Sequence, residues 1–287
     1  MKDEALVKTN FYEYIDLALL IDNHIGDYPP ALIQKGVWSS TPPREAVSKL
    51  SKATIIYLHA DGFDYWSDIL LDLQQYRPLP VRLFIIMDSD YCFGDEHMET
   101  LVAFFPKTKF WIQNWCGSLE SVQLLPIGVN KRYQKESIKT QSLGISFLLN
   151  YIGNPKREEF FQFLHTTPSI QAYYLERGGF EHYFDQLSIC MFSTCPMGEG
   201  FDTYRFWESL MMGAIPIVKK HEFYRTLELH YPTVPFVEIE EWADILDLLP
   251  ELTQEYYARL MKNADLTCVT QSYWRNQLEC IKNAENS

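Results

Sequence analysis

Arg205 and Glu208 stand three residues apart at the start of a segment that the sequence predicts to be helical, directly after a loop carrying Gly198 and Gly200. Side chains at i and i+3 share a helix face, so a guanidinium and a carboxylate here address different parts of one ligand. A nucleotide sugar asks for that pair: a cation for its diphosphate and an acceptor for its ribose hydroxyls. Asp202 reads as the N-cap of the helix, whose unpaired N–H groups and positive dipole end would welcome an anion beside the glycines. Glu199, between the two glycines, shares the loop. On spacing alone the same residues also fit an ordinary surface ion pair contributing about 0.3–0.5 kcal/mol, and Gly-x-Gly without a third glycine is a weak fingerprint.

The surrounding elements are those of a phosphate-binding crossover. Ser188-Ile-Cys-Met-Phe-Ser-Thr194 is an apolar run of strand length, and Ala214 to Val218 is a buried strand beyond the glycine stop at Gly213. Upstream, Thr54 to His59 and Arg82 to Met87 are strands with a helix from Tyr65 to Gln75 between them. A helix from Glu96 to Phe105 and strands at Lys109 to Gln113 and Val122 to Ile127 follow. This order predicts a largely parallel sheet. The polar stretch from Gly128 to Gly144 reads as a linker, and a second α/β set opens with a strand from Ile145 to Tyr151, a helix from Asn154 toward His165, and a strand and helix between Ile170 and Asp185. Beyond Val218 come a strand from Val234 to Ile239 and helices at Trp242 to Leu249, Leu252 to Ala264 and Ser272 to Asn283.

Pro196-Met-Gly-Glu-Gly200, followed by Arg205-Phe-Trp-Glu-Ser-Leu210 and Gly213-Ala-Ile-Pro216, resembles the signature of exostosin-type glycosyltransferases, in which a proline-x-glycine loop precedes Arg-x-x-Glu and then Gly-Ala-Ile-Pro. A second block agrees. Phe110-Trp-Ile-Gln-Asn114 and Leu124-Leu-Pro-Ile-Gly-Val129 are similar to elements of small members of that family. The resemblance implies a GT-B architecture, two Rossmann-like domains with parallel sheets facing a cleft: an acceptor-side domain over residues 1–135, a nucleotide-sugar-binding domain over 145–270, and a final helix over 271–287 crossing back to the first. It implies donor contacts for Gly198, Gly200, Arg205 and Glu208, a metal-independent and inverting sugar transfer to a glycan hydroxyl, and no cofactor beyond the donor. Met197 stands where the family often carries Arg, so one phosphate cation is missing.

Inversion requires a base for the acceptor proton. Asp61 follows the strand ending at His59, at the carboxyl edge where open α/β sheets bind ligands, and is the first choice; Asp90, after the strand ending at Met87, is the second. Each is equally a turn carboxylate. Asp88 with Asp90 also has the layout of a metal-dependent GT-A transferase holding a divalent ion. A non-catalytic nucleotide- or glycan-binding module is the third reading. Arg157, with Lys156 at a helix start, is a second phosphate contact, and Lys219 and Lys220 face either the site or solvent.

The 287 residues are 47% apolar, enough for packed cores, and carry a formal net charge of -13, which argues against a nucleic-acid partner. No stretch reaches the ~18 apolar residues of a membrane span, and the start of the sequence lacks the apolar core of a signal peptide. The six cysteines show no C-x-x-C spacing, which points away from zinc and toward reduced thiols in a cytoplasm.

Overall fold

Our computed structural model of the chain describes residues 53–87, 90–130, 133, 138–145, 155–176 and 178–283, with the side chains of His59, Asp61, Tyr65, Pro155 and Lys156 excepted. The fold is mixed α/β with two parallel four-stranded sheets. The chain divides into two compact units: Ile127–Trp274 forms one, and the described residues 53–126 and 275–283 belong to the other.

In the latter unit β1 (Ile55–His59), β2 (Leu83–Met87), β3 (Lys109–Ile112) and β4 (Val122–Leu124) pair in the order β1-β2-β3-β4. Helix α1 (Phe63–Tyr76) joins β1 to β2 and α2 (Asp95–Phe104) joins β2 to β3. All five β2 residues are buried, as expected of a parallel strand covered on both faces, and this is why Leu-Phe-Ile-Ile-Met reads as a continuous apolar run. Phe84 stacks on Phe110 from β3 and meets Phe105 edge-on. No helix spans the link from β3 to β4; instead the Asp95 carboxylate fastens it by accepting from the Ser118 and Leu119 backbone N–H groups and the Ser118 hydroxyl.

The cysteine expectation is corrected here. Cys92 and Cys116 form a disulfide beside the Phe93–Trp115 bridge, and Cys190, Cys195, Cys268 and Cys280 are the free thiols. The partners lie 24 residues apart and meet because the neighbouring strands β2 and β3 both end there, which linear spacing does not reveal. The inference from six reduced thiols to a reducing compartment loses its premise.

In the second unit β5 (Gln141–Gly144), β6 (Cys190–Thr194), β7 (Ile215–Lys219) and β8 (Val237–Ile239) again pair in sequence order. Its helices are α3 (Pro155–Thr166), α4 (Phe180–Ile189), α5 (Tyr204–Met211), α6 (Glu222–His230), α7 (Ile245–Leu248) and α8 (Gln254–Met261), and α9 (Gln271–Asn283) follows. Three expectations shift. The opening strand is Gln141–Gly144, inside the stretch read as linker, while Ile145 makes only a bridge to Tyr174 and residues 146–151 lie outside the described set. The segment near Ile170 is a 3₁₀ turn, Pro168–Tyr173, not a strand. Ser188 and Ile189 end α4, because the buried positions Tyr183, Phe184, Leu187 and Ser188 keep helical period up to the strand.

A core of Leu143, Phe160, Phe192, Ile215, Ile217, Val237 and Trp242 fills one side of this sheet, and a second group built on Tyr183, Phe184, Leu187 and Met212 packs separately. Pro216 sits in the inner strand β7 without cost. The Ile217 carbonyl accepts from Cys195 N–H, so Ile217 faces β6 and Pro216 faces the β8 side, where pairing starts only at Ile217–Val237. Among the described residues no helix is long and apolar enough to cross a membrane.

Candidate functional site

The carboxyl end of β6 runs into the glycine loop and then α5. Thr203, not Asp202, is the N-cap: its φ is -120° and its Oγ1 accepts from Phe206 N–H. Asp202 was expected there but is drawn inward. It is 3% exposed, its Oδ1 accepts from Trp207 Nε1 and its Oδ2 from Ile127 N–H, each at 2.6 Å. Burial pushes its carboxyl up to about 7, against the pull of these two donors.

At the other end α5 stops on a Schellman motif. Gly213 has φ of 70°, its N–H reaches the Leu210 carbonyl, and Ala214 N–H reaches Ser209. Only glycine takes that conformation cheaply. Lys139 Nζ donates to the Ser188 and Met212 carbonyls, holding the C-terminal ends of α4 and α5 together; burial lowers this amine to about 7.

The loop is braced from several sides. Arg157, buried at the start of α3, donates from Nε to the Met197 carbonyl at 2.8 Å. Gly198 N–H bonds Gly200 O, the Phe201 ring stacks on His221 with centroids 3.3 Å apart, and Tyr224 OH donates to Phe201 O. His221 Nδ1 accepts from Phe223 N–H as the cap of α6. Gly198 has no left-handed φ, and a Cβ there would meet Arg157 Nη2 at an ordinary 3.4 Å. The glycine is therefore not demanded by the turn itself.

Arg205 and Glu208 face the same side of α5, and Glu208 is 6% exposed. Burial pushes the Glu208 carboxyl up to about 7; the Arg205 charge and the Asn130 N–H, which it accepts, oppose the rise. Cys195 and Tyr183 border the pair, and burial raises both, the thiol to about 11. The Arg205 charge and a close side-chain approach of Arg205 both favour the tyrosinate, although the two side chains do not meet in hydrogen-bond geometry. Tyr183 OH and Arg205 Nε, both buried, have no hydrogen-bond partner in geometry, and neither do Ser193 Oγ and Thr194 Oγ1 at the end of β6. Buried polar atoms are rarely left so, and Tyr183 and Arg205 lie close enough to interact electrostatically.

The structure thus brings Arg157, Gly198, Glu199, Gly200, Arg205 and Glu208 around one sheet edge, with Glu199 exposed on the loop and Gly200 buried. Arg157, expected as a phosphate contact, spends its Nε on the Met197 carbonyl of the loop. Lys219 is engaged by Glu159 and Glu241 and Lys220 by Glu240. In the other unit Asp61 falls in the 3₁₀ turn Ala60–Gly62 at the end of β1, and Asp90, exposed, follows β2; Asp88 lies outside the described residues. Among the described residues no group of three or more His, Cys, Asp or Glu side chains gathers to hold a metal ion. Tyr183, Ser193, Ile127 and Asn130 were missed by the sequence reading; a tyrosine in an apolar helix carries no local signal, and the two backbone donors acquire their role only through the fold. No protein-family model matches the chain, and no curated protein matches it.

Proposed function

We propose that the chain is a GT-B-type glycosyltransferase, related to the exostosins, that moves a sugar from a nucleotide-diphosphate donor to a glycan hydroxyl with inversion and without a metal. The observation that carries this reading is the Arg205–Glu208 pair at the start of α5, behind a braced glycine loop at a sheet's carboxyl edge, with Arg205 Nε lacking a partner. In the proposed reaction Arg205 and the N-terminal N–H groups of α5 meet the charge that grows on the leaving diphosphate. The Gly198–Gly200 loop admits the phosphates. Glu208 takes the ribose, since Asn130 N–H and Arg205 leave it further lone pairs. Asp61 or Asp90 takes the acceptor proton.

Thermal stabilisation by UDP, GDP, ADP and their sugars, each with and without EDTA and Mn²⁺, tests this. One nucleoside diphosphate is expected to raise Tm regardless of EDTA, and Arg205→Ala to weaken its binding at least about tenfold, or 1.4 kcal/mol. A shift that needs Mn²⁺ would transfer the site to Asp88 and Asp90. No shift with any of them, or an Arg205→Ala protein that binds as wild type, would remove the proposal.

A further inference from the structure

Asp202 joins the start of α5 to a segment far away in sequence. Its two oxygens accept separately from Ile127, 75 residues away, and from Trp207 on α5. Three residues past Ile127, the Asn130 N–H lies where it favours the Glu208 carboxylate on the same helix. Gly128, between Ile127 and Asn130, has φ of 78°, a left-handed turn in the short segment that faces Asp202 at one end and Glu208 at the other. Two carboxylates six residues apart on one side of the loop and helix therefore grip both ends of one four-residue segment.

We propose that Asp202 is a positioning residue for the Arg205–Glu208 site: its carboxylate clips the Ile127–Asn130 segment to α5 and so fixes how Arg205 and Glu208 are presented to an anionic ligand. The ligand half of this inference rests on the nucleotide-sugar reading; the clip does not. The clip is internal to the unit and does not need Asp202 to touch ligand. Glu208 is gripped through Asn130, so a segment freed at Ile127 takes the Glu208 contact with it, and Arg205 loses its neighbour's fixed charge. The titratable groups that face Asp202 are Tyr224 on α6 and Cys268 in the 3₁₀ turn Thr267–Val269; those around Glu208 are Arg205, Tyr183 and Cys195. Burial keeps both carboxyls titrating close to neutrality, which gives the clip a readable signature.

The test is NMR of ¹⁵N-labelled full-length protein across neutral pH, with titrations of UDP, GDP and ADP. In wild type, Trp207 Nε1–H and Ile127 N–H are expected to shift with one shared midpoint, because both report the same carboxyl. Asp202→Asn, which keeps the shape but places an NH₂ against one of the two donors, is expected to abolish that shared titration, displace the buried Arg205 Nε–H resonance and weaken the tightest nucleoside diphosphate about tenfold or more. Trp207→Phe removes one donor and leaves the carboxylate, so Ile127 N–H still titrates; it is expected to displace the Arg205 Nε–H resonance and weaken binding, and keeps the test open if Asp202→Asn fails to fold. Separate midpoints for the two resonances, or unchanged Arg205 Nε–H and affinity in the variants, would overturn the clip. Should wild type bind none of the three nucleotides, the nucleotide reading fails, and the Arg205 Nε–H resonance alone decides the clip.

Discussion

That Arg205 and Glu208 share a helix face was legible because helical spacing is local, whereas the place of Asp202 was not. An aspartate before a helix ordinarily caps it; here Thr203, one residue on, does so, and Asp202 is free to turn toward Ile127 and Trp207. Which of two adjacent cap formers wins is decided by partners that sequence does not place. The buried carboxyls carry a pH consequence. Asp202 and Glu208 move to about 7 from ordinary values of 3.8 and 4.5, so between those limits the folded chain holds protons that the unfolded chain has released. Their contribution to stability is complete below about pH 4, is lost as pH rises toward 7, and is level above that. Urea unfolding across this range should show a falling limb that is flatter in the Asp202→Asn, Glu208→Gln double variant; an identical slope would show that other groups set it.

Elements were read well where both faces of a strand are covered, as in β2, since a continuous apolar run of five residues bounded by turns has few other uses. They were read poorly where tertiary contact decides. Helix α6 went unnoticed: its buried face rests on Phe223, Tyr224, Thr226 and Leu227, and its cap is a histidine ring. The segment 141–144 looked like linker because only its last two residues are buried. Two substitutions test the frame of α5. Gly213→Ala forces a side chain into the left-handed region and should cost about 1–2 kcal/mol. Thr203→Ala should cost less, about 0.5–1 kcal/mol, because the cap bond is long at 3.4 Å. Both are measured as shifts in denaturant midpoint at constant slope, and a Gly213→Ala protein as stable as wild type would mean that the Schellman stop does not limit the helix.

For the molecule as a whole, the two parallel sheets followed from the alternation of strands and helices, and the disulfide did not. Thiol titration of the unfolded, unreduced protein should count four groups, from Cys190, Cys195, Cys268 and Cys280, and six after reduction. Six before reduction would contradict the pairing. Breaking the bond by Cys92→Ala with Cys116→Ala should lower stability by about 3.5 kcal/mol, the loop-entropy value for a closure of this length.

The strand order of both sheets has a consequence for how the chain is made. Parallel sheets generally fold slowly because their strands must find partners far along the chain. Here each strand in the order β1-β2-β3-β4 and β5-β6-β7-β8 pairs with the one synthesised just before it. Each new strand emerging from the ribosome meets an edge already in place, so every sheet can grow in the direction of translation, and the exposed edge that invites aggregation is covered by the next segment to arrive.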